Sequence, residues 1–213
     1  MVIEPAPVVT EPTVAEEQWV LGAEELFRRL ATRVADGTYA PGMRLSDKTI
    51  AADLAVTRTP VREAIQRLAR AGLMEVHASR YPMVTDITVE RSRVTREFAA
   101  HQSSEIIREA AIGLSEPDLS HTCDLIHRAI DSSITGRGWI EAHVELFTFL
   151  TDHALNDLYR LMLSDFWYVI FRDLYLGTPR VSTHESLEEL ASAMRARDAN
   201  AGVSAVRKML QLK

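Results

Sequence analysis

The chain has 213 residues, 46% hydrophobic and 25% charged, with a formal net charge of −6. That length holds two small domains, and the balance is that of a soluble globular protein rather than a disordered or fibrous chain. The single cysteine, Cys123, excludes an internal disulfide and suits a reducing, cytoplasmic setting. No apolar run approaches the length of a spanning helix, and no basic stretch precedes an apolar one near Met1, so neither membrane insertion nor secretion is expected.

Residues 1–20 are rich in Pro, Val, Thr and Glu without helical periodicity and are expected to be a disordered tail. A first domain is expected over 21–85. Leu26, Leu30 and Val34 recur every four residues from Ala23 to Asp36, Gly37 ends that helix, and Tyr39-Ala40-Pro41-Gly42 turns the chain. Ser46 can cap a short helix with Ile50, Ala51 and Leu54 on its apolar side, and a tight turn follows at Val56-Thr57. A second helix is expected at once, with Thr59 as N-cap and Pro60 at its first position. Val61, Ile65 and Leu68 face inward and Gly72 is its stop.

Two short helices joined this way make a helix-turn-helix. The second leaves Arg58, Thr59, Arg62 and Gln66 outside near its N-terminal end, where a recognition helix meets base edges. Guanidinium forks suit guanine edges and phosphates. Leu73 to Val76 and Pro82 to Thr85 read as two strands of a hairpin wing whose tip is His77-Ala78-Ser79-Arg80. Charge agrees with DNA binding: residues 22–85 carry ten Lys/Arg against seven Asp/Glu, whereas residues 86–213 carry fourteen against nineteen. A cationic module on an acidic body binds phosphates locally, with an affinity that falls with salt.

The run G-T-Y-A-P-G-M-R-L (37–45) followed by V-T-R-T-P-V-R-E-A-I-Q-R-L-A-R-A-G-L (56–73) resembles the winged helix-turn-helix of the GntR family of bacterial transcription regulators. The resemblance covers about a third of the chain. It implies DNA contacts by Lys48, Arg58, Thr59 and Arg62, with the wing tip at Ala78, Ser79 and Arg80 reaching the minor groove. The family usually has a glycine in the wing near position 81, where this chain has Tyr81-Pro82.

Beyond Asp86–Glu90 helical stripes dominate, at about 89–113, 117–133, 139–151, 156–176, 183–197 and 199–211. Breaks fall at Leu114-Ser115, Gly136–Gly138, Gly177–Pro179 and Asp198. The expected fold is mainly α: an N-terminal winged helix-turn-helix plus a C-terminal all-α antiparallel helical bundle over 86–213. Leu158, Leu161, Met162, Phe166, Trp167, Ile170 and Phe171 read as bundle core with an excess that suits a dimer surface. On the first bundle helix Val94, Phe98, His101 and Glu105 share one stripe. This puts a histidine and a carboxylate among inward positions, and His101, His143 and His184, on three helices, either converge on a ligand in the bundle core or are each a core or half-buried histidine with one hydrogen bond.

This half is similar to the FCD effector domain of the FadR subfamily, through A-L-N-D-L (154–158) and H-E-S-L-E-E-L-A-S-A-M-R-A-R-D (184–198). The resemblance implies a small carboxylate effector near His101, Glu105, His143, Asn156 and His184. Many such domains hold a divalent metal through one Asp and three His. The corresponding positions here are His143, Phe147, His184 and Met209, so the usual ligand set is incomplete and only His143 and His184 remain as metal candidates. His121, Asp124 and His127 have metal-compatible spacing but fit a solvated face.

No phosphate loop, nucleophile elbow or paired cysteines support enzymatic chemistry. The expected protein is a dimeric DNA-binding regulator, by resemblance a repressor, acting on a short palindromic operator under control of a small-molecule effector. The alternatives are a constitutive DNA-binding protein whose bundle only dimerises, and an enzyme localised by its winged module.

Overall fold

The computed structural model describes residues 22–76, 81–131, 136–154, 156–177 and 183–210. Three helices open the fold: α1 (Ala23–Ala35), α2 (Asp47–Leu54) and α3 (Arg58–Arg70). Ser46 caps α2 by accepting the Thr49 N–H at 3.0 Å, and Ala55, left-handed at φ 53°, closes it and swings the chain into α3. The N-cap of α3 is Thr57 rather than the expected Thr59. The helix therefore starts earlier and Pro60 falls further into the first turn, where its missing N–H is still one the helix would leave unpaired. Gly72, at φ 82°, ends the segment in a conformation that strains any side chain.

Two short strands, β1 (Met74–Glu75) and β2 (Met83–Val84), pair antiparallel with Met74 opposite Val84. They are shorter than the four-residue strands expected, and Arg44 bridges to Met83 on the other side of β2. The wing base is thus tied to the segment before α2. The wing-tip residues Ala78, Ser79 and Arg80, and the tail 1–20, lie outside the described residues.

The bundle contains α4 (Val89–Gly113), α5 (Glu116–Asp131), α6 (Gly136–Ala154), α7 (Asp157–Leu163), α8 (Phe166–Gly177), α9 (His184–Arg195) and α10 (Ala199–Met209). Ser115 opens α5 by accepting the Asp118 N–H and donating to its carboxylate, and Asp198 caps α10. Helix α10 lies on α4 and α9, α9 on α5, α5 on α6, and α6 on α4 and α8. The α4–α10 approach is close: a Cβ at Gly202 would stand 2.7 Å from Ile107 Cγ2. Small residues on the inner face of α4, among them Ala99, Ala100, Ser103, Ala110 and Ala111, make that approach possible.

Three expectations change. The single helix foreseen at 156–176 is two, because Ser164 and Asp165 turn out of register and Asp165 binds an arginine of α3. Helix α6 begins at Gly136, inside the expected break: its bare Cα lies against Tyr175, whose Oη would be 2.5 Å from a Cβ there. The inner face of α4 is not the foreseen one. Thr95, Ala99, Ser103, Ile106 and Ala110 are buried, while Val94, Phe98 and His101 are exposed and Glu105 is half-buried, because close helix packing selects small side chains over large ones.

Candidate nucleic-acid interface and its junction with the bundle

Val61, Ala64, Ile65 and Leu68 bury one side of α3 against α1 and α2, which leaves Arg58, Thr59, Arg62 and Gln66 exposed with Lys48 of α2. Asp47, in the first turn of α2, gathers the two arginines. Its oxygens accept from Arg58 at 2.9 Å each and from Arg62 Nε at 2.6 Å. The Arg58 hydrogen bonds, and then that of Arg62, hold the Asp47 carboxyl below its ordinary range, so it stays ionised and the pair stays oriented. An open groove of about 400 Å³ runs from these arginines past Gln66 to Val76 and Tyr81 at the wing base. Tyr81 is 67% exposed.

Sequence reasoning missed Asp47. An acidic residue just after an N-cap reads as an ordinary helix-dipole charge, and only the turn at Ala55 brings it against α3. Among the residues foreseen for DNA, Lys48, Arg58, Thr59, Arg62 and Gln66 share this exposed face.

The module is fastened to the bundle from two directions. Arg67 of α3 stacks on Phe27 with its guanidinium 3.9 Å from the ring centre, donates twice to Asp165 at 2.7 Å, and reaches Glu24. Deeper in, Asp173 accepts from Arg172 at 2.8 and 2.9 Å, from Arg91 at 3.0 Å and from Thr95 at 3.0 Å. Arg172 also donates to the Thr85 carbonyl, and Arg91 donates to the Gly72 carbonyl. One buried carboxylate thus links α4 and α8 of the bundle with the end of the recognition helix and the exit of the wing. Two arginines, the Thr95 hydroxyl and backbone carbonyls satisfy the network, the condition under which buried charge is tolerated.

The candidate effector residues do not come together. His101 is exposed. Glu105 pairs with Arg108 on its own helix. His184 lies at the start of α9, 51% exposed and facing Glu188. Asn156 is the cap of α7, accepting the Leu158 and Tyr159 N–H groups. His143 alone is interior: it is fully buried, stacked on Trp139 at 4.0 Å and 5.2 Å from Phe171. Its Nδ1 bonds the Trp139 carbonyl at 2.8 Å, so Nδ1 carries the proton and Nε2, which has no partner among the described residues, presents a lone pair. Burial pushes its pKa down to about 4, against the smaller opposing effect of that hydrogen bond.

Phe147 and Met209 are buried core residues. The described residues hold no group of three or more His, Cys, Asp or Glu that could bind a metal ion. The His121 ring packs edge-on against Phe149 and His127 meets Arg195, so the two histidines of that helical trio turn to separate neighbours. Leu158, Leu161 and Met162 of α7 are 61–79% exposed, whereas Trp167, Ile170 and Phe171 of α8 are core, which divides the single stripe foreseen for them.

An exposed recognition helix beside a small wing, joined to a helical bundle, defines a winged helix-turn-helix DNA-binding protein. Residues 23–80 match the family model of bacterial regulatory proteins, gntR family. The HTH-type transcriptional regulator Mce2R of Mycobacterium tuberculosis is 28% identical over 165 residues, covering 67% of this chain and 68% of the relative. The HTH-type transcriptional repressor RspR of Escherichia coli is 29% identical over 93 residues, 44% and 41% of the two chains. In fold, the chain is similar to E. coli McbR/YncC, with a TM-score of 0.74 at 18% identity over 89% of this chain and 93% of that one. The chain is thus similar over residues 23–80 to bacterial regulatory proteins of the gntR family, and over a longer span to an HTH-type transcriptional regulator. Among the described residues no helix is long and apolar enough to cross a membrane.

Proposed function

We propose that the chain is a cytoplasmic, homodimeric repressor of the FadR type, with a DNA-binding domain to residue 85 and an effector domain from residue 86. The observation that carries the DNA half is the exposed pair Arg58 and Arg62, oriented by Asp47 at the N-terminal end of α3. In this reading Arg58, Thr59, Arg62 and Gln66 read the major groove, Lys48 binds phosphate, and Ser79 and Arg80 of the wing tip enter the minor groove. Two copies meet a palindrome with half-sites about one helical turn apart. The exposed apolar face of α7, continued by Phe98 against Phe166, supports pairing between copies. The name of the relative RspR supports repression.

Effector control works by population shift: a ligand of unequal affinity for two placements of the winged modules changes operator affinity by that ratio. The Arg67–Asp165 pair and the hydrogen bonds of Arg91 to the Gly72 carbonyl and of Arg172 to the Thr85 carbonyl are the contacts through which bundle and module would feel one another. A second reading, constitutive binding with a bundle that only dimerises, is favoured by one observation. His143 is enclosed by Trp139 and Phe171 rather than by polar groups. Fluorescence anisotropy with operator and random duplexes across a salt series tests the DNA half. Operator preference with a steep salt slope is expected, and equal affinity for both duplexes at physiological salt overturns it.

A further inference from the structure

A groove of about 590 Å³ separates α1 of the winged module from α6 of the bundle. Its two walls have opposite sign. Arg28 and Arg29 line it from α1, sharing the one carboxylate of Glu25 at 3.0 and 2.8 Å, so that wall keeps a net positive charge. From α6 come Glu141, Glu145 and Asp152. Arg137 neutralises the first and Arg128 the second, while Asp152 has no ion pair among the described residues.

The helices run antiparallel. The C-terminal end of α1 and the N-terminal end of α6 both meet the last turn of α8, through Gly37 against Leu176 and Gly136 against Tyr175. Arg28, Arg29 and, further along α6, Asp152 line this same groove. Among the described residues no ion pair crosses between them. Between the walls lie Val144, the half-buried Phe149 and Tyr168, which packs edge-on to Phe27. Burial raises the Tyr168 phenol to about 12, so it remains neutral.

We propose that this groove is the regulatory ligand site and takes a small amino-acid-like zwitterion. Its carboxylate lies on Arg28 and Arg29, its ammonium on Asp152, and its apolar part over Val144 and Phe149. The inference rests on the effector reading above and moves the site from the bundle interior to the boundary between module and bundle. Opposite charges facing across water attract each other weakly. A molecule carrying both charges completes both pairs at once and excludes solvent from the apolar floor. Because its two ends are held by different halves of the chain, it binds one placement of the winged module better than any other, which is the requirement for changing operator affinity.

The test is calorimetric titration of the full chain with each standard free L-amino acid, and with analogues of each hit that lack the amine or the carboxylate. One or more amino acids should bind, with either singly charged analogue weaker by about tenfold or more. The doubly substituted Arg28→Gln, Arg29→Gln chain and, separately, Asp152→Asn should weaken binding to the same degree with the unfolding temperature unchanged. No binding by any amino acid, or equal affinity in both variants, overturns the site. Operator affinity measured in parallel separates the two claims. Groove binding that leaves operator affinity unaltered overturns the effector reading. Operator release by a metabolite that binds the variants and the native chain alike overturns the groove.

Discussion

Arg58 and Arg172 each lie against an aspartate, at 2.9 and 2.8 Å, yet the first side chain is 55% exposed and the second wholly buried. The distances are alike and the consequences differ. On the recognition helix the arginines of the Asp47 clasp are open to water, so in the proposed complex a DNA phosphate or guanine edge would replace the carboxylate at small cost. At the junction, opening the Asp173 pair strands a charge where no solvent can reach it. The same two residue types therefore serve exchange at one end of the module and fastening at the other.

The largest expected effect comes from breaking the buried pair. Asp173→Asn leaves Arg172 and Arg91 facing a neutral amide and should destabilise the fold by about 3–5 kcal/mol in urea denaturation. Loss of less than ~1 kcal/mol, the range of exposed pairs, would erase the distinction drawn between the two aspartates.

A second buried group sharpens the contrast through pH. The His143 pKa is depressed to about 4, below that of an unfolded histidine near 6.5, so the unfolded chain takes up the proton first. Its contribution to stability is complete above pH ~6.5 and is lost as pH falls toward ~4, by roughly 3 kcal/mol in total. His143→Phe should remove that slope while keeping the ring stack. Parallel stability curves for the two proteins across this window would show that the imidazole is not held neutral.

The smallest effect in free energy is the most specific. Arg58→Ala and Arg62→Ala should each weaken operator binding by about 1–3 kcal/mol and change folding stability by less than ~0.5 kcal/mol. Anisotropy titration checks the first figure and thermal unfolding the second. A variant that unfolds early would place these arginines with the fasteners.

The winged module was legible almost residue by residue, because its signals are local. Ser46, Gly72 and the Val61, Ile65, Leu68 stripe act within a turn or two of the chain, and the structure uses all of them. Even there Asp47 escaped notice, since its partners Arg58 and Arg62 are brought to it by the left-handed turn at Ala55. In the bundle, helix positions were legible and helix faces were not. Along α4 the larger apolar residues Val94 and Phe98 pointed to one face, but the close crossing of α10 buries the alanines and serines of another.

Asn156 shows the same limit from the other side: a polar residue between helices suggested a ligand contact, and its side chain caps α7. By itself the sequence determined the element types, the recognition helix and its outward arginines, because caps, turns and periodicity are interactions between near neighbours. The tertiary structure alone decided that Arg67 meets Asp165, that Asp173 gathers Arg91 and Arg172, and that α1 faces α6 across a groove. Arg67 with Asp165, Arg91 with Asp173 and α1 with α6 are distant in the chain, and nothing in local propensity distinguishes an arginine that will be buried, as Arg172 is, from one that stays exposed on the recognition helix.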